Sequence, residues 1–119
     1  MVRMNGEDSR AMVESIGVEY DRGRAALDLQ IAVPADEWAR WMVGSSVSLV
    51  ARWNFEVAPF VARWNFEVAP FPACAVLADV MERRSVQGQF VIRERYPVGD
   101  GGWSLVKLES SGAVQPLEP

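Results

Sequence analysis

Ala25-Ala26-Leu27-Asp28-Leu29-Gln30-Ile31-Ala32-Val33 alternates apolar and polar side chains along most of its length. Leu27, Leu29, Ile31 and Val33 share one face, while Asp28 and Gln30 point the other way. Successive side chains of a strand leave on opposite faces, so the pattern predicts a half-buried β-strand in a sheet with one dry side. Just before it, Asp21-Arg22-Gly23 is turn chemistry, which folds Val18–Tyr20 back as the partner strand of a hairpin. Farther upstream, Asp8 and Ser9 fit the cap of a short helix through Ile16, stopped by Gly17; an edge strand is the alternative reading.

Downstream of the strand, Pro34 suits a first helical position, and Asp36 and Glu37 suit the positive end of a helix dipole. Trp38, Trp41 and Met42 then form one apolar stripe, with Gly44 as the stop. Val47–Val57 is β-branched and aromatic, and reads as a strand. Ala73, Val76, Leu77, Val80 and Met81 recur at helical spacing behind Pro70 and Pro72, with Arg83 and Arg84 in the last turn. Val86–Tyr96 and Trp103–Glu109 read as strands joined by a hairpin loop, Pro97-Val98-Gly99-Asp100-Gly101-Gly102. The sum is a single α+β domain over residues 1–119. It is expected to hold a largely antiparallel sheet of about five to six strands with two main helices packed on one face. Residues 1–8 and 110–119 are expected to be flexible.

The segment Val50-Ala-Arg-Trp-Asn-Phe-Glu-Val-Ala-Pro-Phe60 recurs without a change as residues 61–71. Perfect identity points to a recent natural duplication or to an engineered variant of a 108-residue parent, the 119 residues less one 11-residue copy. In each copy the rings alternate with polar residues: Trp53 and Phe55 against Arg52 and Asn54, then Trp64 and Phe66 against Arg63 and Asn65. Each copy therefore wants one dry face. An odd repeat length would throw the second copy's rings onto the opposite side of an unbroken strand, and Pro59 and Pro70 interrupt one in any case. The surplus face is expected to be buried in a wide hairpin or against a second subunit. The form lacking Val61–Phe71 is expected to fold, with circular dichroism and a thermal melt as the check.

Composition narrows the function. The chain has no histidine and one cysteine, Cys74, so imidazole catalysis, Cys/His zinc sites and an internal disulfide are all excluded within it. A net charge of −4 works against a nucleic-acid role. No apolar run reaches the roughly 18 residues of a membrane span. The polar first ten residues do not resemble a secretory signal, and a cytoplasmic protein is expected.

Individual motifs have ordinary structural explanations. Gly99-Asp100-Gly101-Gly102 lacks the Lys-Ser/Thr of a phosphate loop and fits a turn. Asp36/Glu37 and Asp79/Glu82 fit a helix start and a helix's wet side rather than acid–base pairs. Cys74 near a helix start has no imidazole to serve as its base. Trp38, Trp41 and Trp103 fit a core better than a ligand cavity. The candidate interaction surface is Arg52, Trp53, Phe55, Arg63, Trp64, Phe66, Arg93 and Arg95. No catalytic residue, cofactor or metal is assigned. The expected function is that of a non-enzymatic bacterial or phage interaction protein that binds a protein partner or itself as a homo-oligomer. The alternatives are a small-ligand or lyase/isomerase-like domain and a single-strand nucleic-acid binder acting through the Arg-Trp-Asn-Phe strands.

Overall fold

The computed structural model of the protein describes residues 1–21, 24–55, 71–98 and 102–117. Among the described residues seven strands form one sheet: β1 (Val2–Met4), β2 (Glu7–Ser9), β3 (Met12–Asp21), β4 (Arg24–Pro34), β5 (Ser46–Arg52), β6 (Ser85–Val98) and β7 (Trp103–Gln115). Every pairing is antiparallel, in the order β2-β1-β5-β6-β7-β4-β3. The expected α+β class is therefore corrected. Among the described residues the chain is mostly β, with two short helices, and the sheet curls into a half-barrel. Pro34 opens only a 3-10 helix, Ala35–Arg40, in place of the first expected main helix. The second is a true α-helix, α1 (Phe71–Arg83).

Chain connectivity explains the curl. The first and last strands of the sheet, β2 and β3, are consecutive in the chain, with only Arg10 and Ala11 between them. At about 4.8 Å per strand, the edges of a flat seven-stranded sheet would lie about 29 Å apart. Three peptide links hold the Cα atoms of Ser9 and Met12 within about 11 Å. The sheet has to bend round until its two edges approach at that corner. Register shifts between Gly88 and Phe90, between Ile92 and Glu94, and between Val13 and Ser15 supply the extra twist.

The inner face is the dry one. Leu27, Leu29, Ile31 and Val33 of β4 are fully buried as their alternation predicts, beside Leu49 and Ala51 of β5, Val86, Phe90 and Ile92 of β6, and Val106 and Leu108 of β7. α1 lays Leu77 and Val80 into this cluster, and Val76, expected in the same stripe, stays exposed. Trp41 follows the 3-10 helix into the core, whereas Met42 is exposed.

The helix expected through Ile16 is replaced by β2 and β3. The deciding signal lies just before them: Asn5 and Gly6 both take positive φ, 52° and 83°, and make the two-residue turn of the β1–β2 hairpin. An Asn-Gly pair suits that turn because both central residues need left-handed backbone. Residues 1–8, expected to be flexible, thus carry β1, which pairs with β5 and buries Val2 and Met4. Residues 110–115 continue β7 instead of fraying, and the Leu117 N–H donates to Ser85 Oγ at 2.9 Å.

The strand expected over 47–57 ends at Arg52, although its alternation persists. Ala51 and Trp53 are buried, Arg52 and Asn54 exposed, and the half-buried Phe55 ring lies 6.4 Å from that of Trp53. Residues 56–70 lie outside the described residues, and so do the expectations for the second copy.

Candidate binding face

Alternation that sends the leucines of β4 inward sends Asp28 and Gln30 to the outer face of the sheet. There the register sets Asp28 opposite Glu109 and Gln30 opposite Lys107 on β7. On the other side of β4, Gly17 of β3 is opposite Asp28, and Glu19 follows two residues along on the same face. Gly17 contributes no side chain and nothing lies within 4 Å of where its Cβ would be, so the approach to Asp28 stays open. β6 adds Arg93 and Glu94 at its bulge. The result is an open cleft of about 440 Å³ holding four carboxylates against two cations.

Glu19, Asp28 and Glu109 bring carboxylate oxygens within 4.8 Å of one another. Like charges directly opposite in a sheet repel, so the arrangement needs protons or cations to settle. Arg93 Nε supplies one, donating to Glu109 Oε2 at 2.8 Å. The Lys107 Nζ is drawn toward Glu94, 4.0 Å from its Oε2. Asp28 is left with a proton: burial, then its hydrogen bond with Glu19, then the charges of Glu19 and Glu109 push its carboxyl from 3.8 up to about 7, with Lys107 opposing.

A second carboxylate is quite different in kind. Glu37, 7% exposed, reaches from the 3-10 helix to the β2–β3 corner. It accepts hydrogen bonds from Ser9 Oγ at 2.6 Å, from the Arg10 N–H at 2.9 Å and from Arg40 Nη1 at 3.2 Å. Burial alone would raise its pKa, but the Ser9 and Arg10 hydrogen bonds and the two guanidinium charges outweigh it and hold the carboxyl below its ordinary value. Arg10 also pairs with Asp36. With its oxygens so fully engaged, Glu37 is a clamp and not a reactive group.

The residues singled out in the sequence are not brought together. Arg52 is exposed at the end of β5, its N–H bonded to the Met1 carbonyl, while Trp53 is in the core with Phe55 against it. Arg63, Trp64 and Phe66 lie outside the described residues. Arg93 belongs to the acidic cleft, whereas Arg95 donates to the Trp38 carbonyl at 2.7 Å and covers the Trp38 ring at 5.9 Å. Trp41 is sealed in the core, and none of Trp38, Trp41 and Trp103 lines the acidic cleft. Asp79 pairs with Arg83 one turn along α1. Cys74 falls in α1, and the surroundings of its thiol lie outside the described residues. Sequence reasoning missed Glu19, Asp28, Lys107 and Glu109 as a group. The available signal was Asp28 itself, since aspartate is disfavoured in the middle of a strand.

Compared with known proteins, the chain matches no family model, no curated protein and no solved structure. No described helix is long and apolar enough to cross a membrane.

Proposed function

We propose that the chain is a non-enzymatic binding protein that takes an extended, basic segment of a protein partner as an added strand on the free edge of β3. The observation that carries this reading is the position of β3: ten residues long, last in the sheet order, and paired only with β4 among the described residues. Such an edge presents a row of main-chain donors and acceptors that an extended peptide can satisfy. Charge selects the peptide. Glu14 and Glu19 lie on β3, and Asp28 and Glu109 stand behind its distal half. A second copy would offer the same acidic strand and meet repulsion, while a lysine- or arginine-bearing strand would relieve the crowded carboxylates. The same charges repel phosphate backbones. A cytoplasmic setting fits this reading.

The test is a titration of the protein with a lysine-rich extended peptide and its glutamate-substituted counterpart, followed by backbone NMR shifts. Binding of the basic peptide alone is expected, with shifts concentrated on Met12–Asp21, weakened by Glu19→Lys and by added salt. Equal binding of both peptides, or shifts centred elsewhere, refutes it. Static light scattering separates off the self-association alternative, which predicts a concentration-dependent dimer without peptide.

One observation favours a second reading. A carboxyl carrying its proton near neutrality inside a cleft with Arg93 and Lys107 is the kind of group that performs acid–base chemistry on a small polar ligand. It ranks second because the cleft is open and polar rather than an enclosed apolar pocket. Turnover of any anionic small molecule that Asp28→Asn abolishes would promote it.

A further inference from the structure

We infer that the distal half of β3 is a proton-dependent latch, closed by a proton shared between Glu19 and Asp28 and released when that proton leaves. The inference stands whether or not the edge takes a partner. Its basis is the geometry of the outer face. Glu19, Asp28 and Glu109 sit on three adjacent strands with oxygens within 4.8 Å, and the register fixes Asp28 directly across from Glu109. Among the described side chains, the charged groups that face the Glu19–Asp28 pair are Glu109 and Lys107 from β7 and Arg93 and Glu94 from β6. Arg93 is committed to Glu109, and the Lys107 Nζ lies 4.0 Å from Glu94 Oε2. No cation is dedicated to Glu19 or Asp28 among the described residues, so the proton is what joins them.

The mechanical consequence follows from topology. β4 is held on both sides, by β3 and by β7, and its inward leucines are fully buried. Among the described residues β3 is held on one side only. Its distal half, Gly17 to Asp21 against Arg24 to Asp28, is fastened by main-chain pairing, by the half-buried Val18 and by the Glu19–Asp28 contact. When both carboxyls are ionised, three negative charges crowd one spot, and the element free to move away is β3. The raised affinity of Asp28 for its proton puts the release near neutral pH.

Amide hydrogen exchange read as protection factors tests this on the whole chain, because protection factors correct for the intrinsic pH dependence of exchange. Between about pH 5.5 and about pH 8.5 the protection of those amides in Gly17–Asp21 that point toward β4 is expected to fall about tenfold or more, while amides of Phe90, Ile92 and Val106 hold steady. Asp28→Asn, which cannot ionise, is expected to keep the acid-like protection at both pH values. Glu19→Gln, at an exposed position, is the second variant should Asp28→Asn fold poorly, and it is expected to abolish the same pH dependence. An unchanged protection of the wild-type β3 amides across this range overturns the latch. So does an undiminished fall in the folded variants. A uniform loss across β6 and β7 overturns it as well, because the effect would then be global.

Discussion

Raising the pH from about 5 to about 8 is expected to destabilise the protein, and Asp28→Asn is expected to remove most of that loss. In the folded chain the Asp28 carboxyl titrates at about 7 against 3.8 for an ordinary aspartate. Between these values the native state holds a proton that the unfolded chain has released, so stability falls as pH rises. The contribution is fully present below about pH 4 and is lost as pH passes through about 7. At about 1.4 kcal/mol per tenfold change, the whole contribution is about 4 kcal/mol, of which about 3 kcal/mol at most is lost between about pH 5 and about pH 8. Asp28 is only half-buried, and solvent screens a group so placed, which brings the expected loss to about 1–2 kcal/mol. The assay is urea unfolding at a series of pH values, with the wild type and Asp28→Asn side by side. A wild-type stability that stays flat or climbs between about pH 5 and about pH 8 would refute the reasoning, as would an Asp28→Asn profile parallel to it.

Glu37→Ala strips the partners from Ser9 Oγ, the Arg10 N–H and Arg40, and is expected to cost about 2–4 kcal/mol in chemical denaturation. Because Glu37 titrates below its ordinary value, its contribution is present above about pH 4.5 and disappears on acidification, the opposite sense to Asp28. Gly88→Ala would place a Cβ 2.9 Å from Val114 Cγ1 and 3.0 Å from the Ala113 carbonyl oxygen. It is expected to destabilise by about 1–3 kcal/mol, and Val114→Ala in the same chain should recover only part, since the backbone contact remains. Trp53→Ala empties a site 8% exposed and is expected to cost about 3–5 kcal/mol in the same assay.

What the sequence discloses here depends on how local the cause is. The inward set Leu27, Leu29, Ile31 and Val33, the β3–β4 and β6–β7 hairpins and α1 were all legible, since each is written in a periodicity or a turn motif. Trp38, Trp41 and Met42 imitate a helical stripe, yet the segment manages only a 3-10 helix because Trp41 is drawn into the sheet's core while Met42 turns outward. Asp8 and Ser9 look like a helix cap, but Ser9 spends its hydroxyl on Glu37 and the Ala11 N–H. These are tertiary decisions that a short window does not contain. The candidate site shows the same division. That Asp28 faces away from the core was readable from alternation; that it meets Glu19 and Glu109 needed the register of three strands separated along the chain. The Asn5-Gly6 turn is local and plain, and it decides for strands where Asp8 and Ser9 alone allow either a short helix or an edge strand.

The short connection through Arg10 and Ala11 has a further effect on how this chain behaves in a crowd. Two flanks tied together at one corner cannot be spread apart, so the molecule is denied the flat, extended form that lets β-rich proteins stack into fibrils. Cutting the backbone after Arg10, whose side chain is 66% exposed, would undo the tie at the cost of a new chain end beside the buried Ala11. A nicked chain that forms thioflavin-positive fibres faster than the intact one would show that the tether guards against aggregation as well as setting the shape.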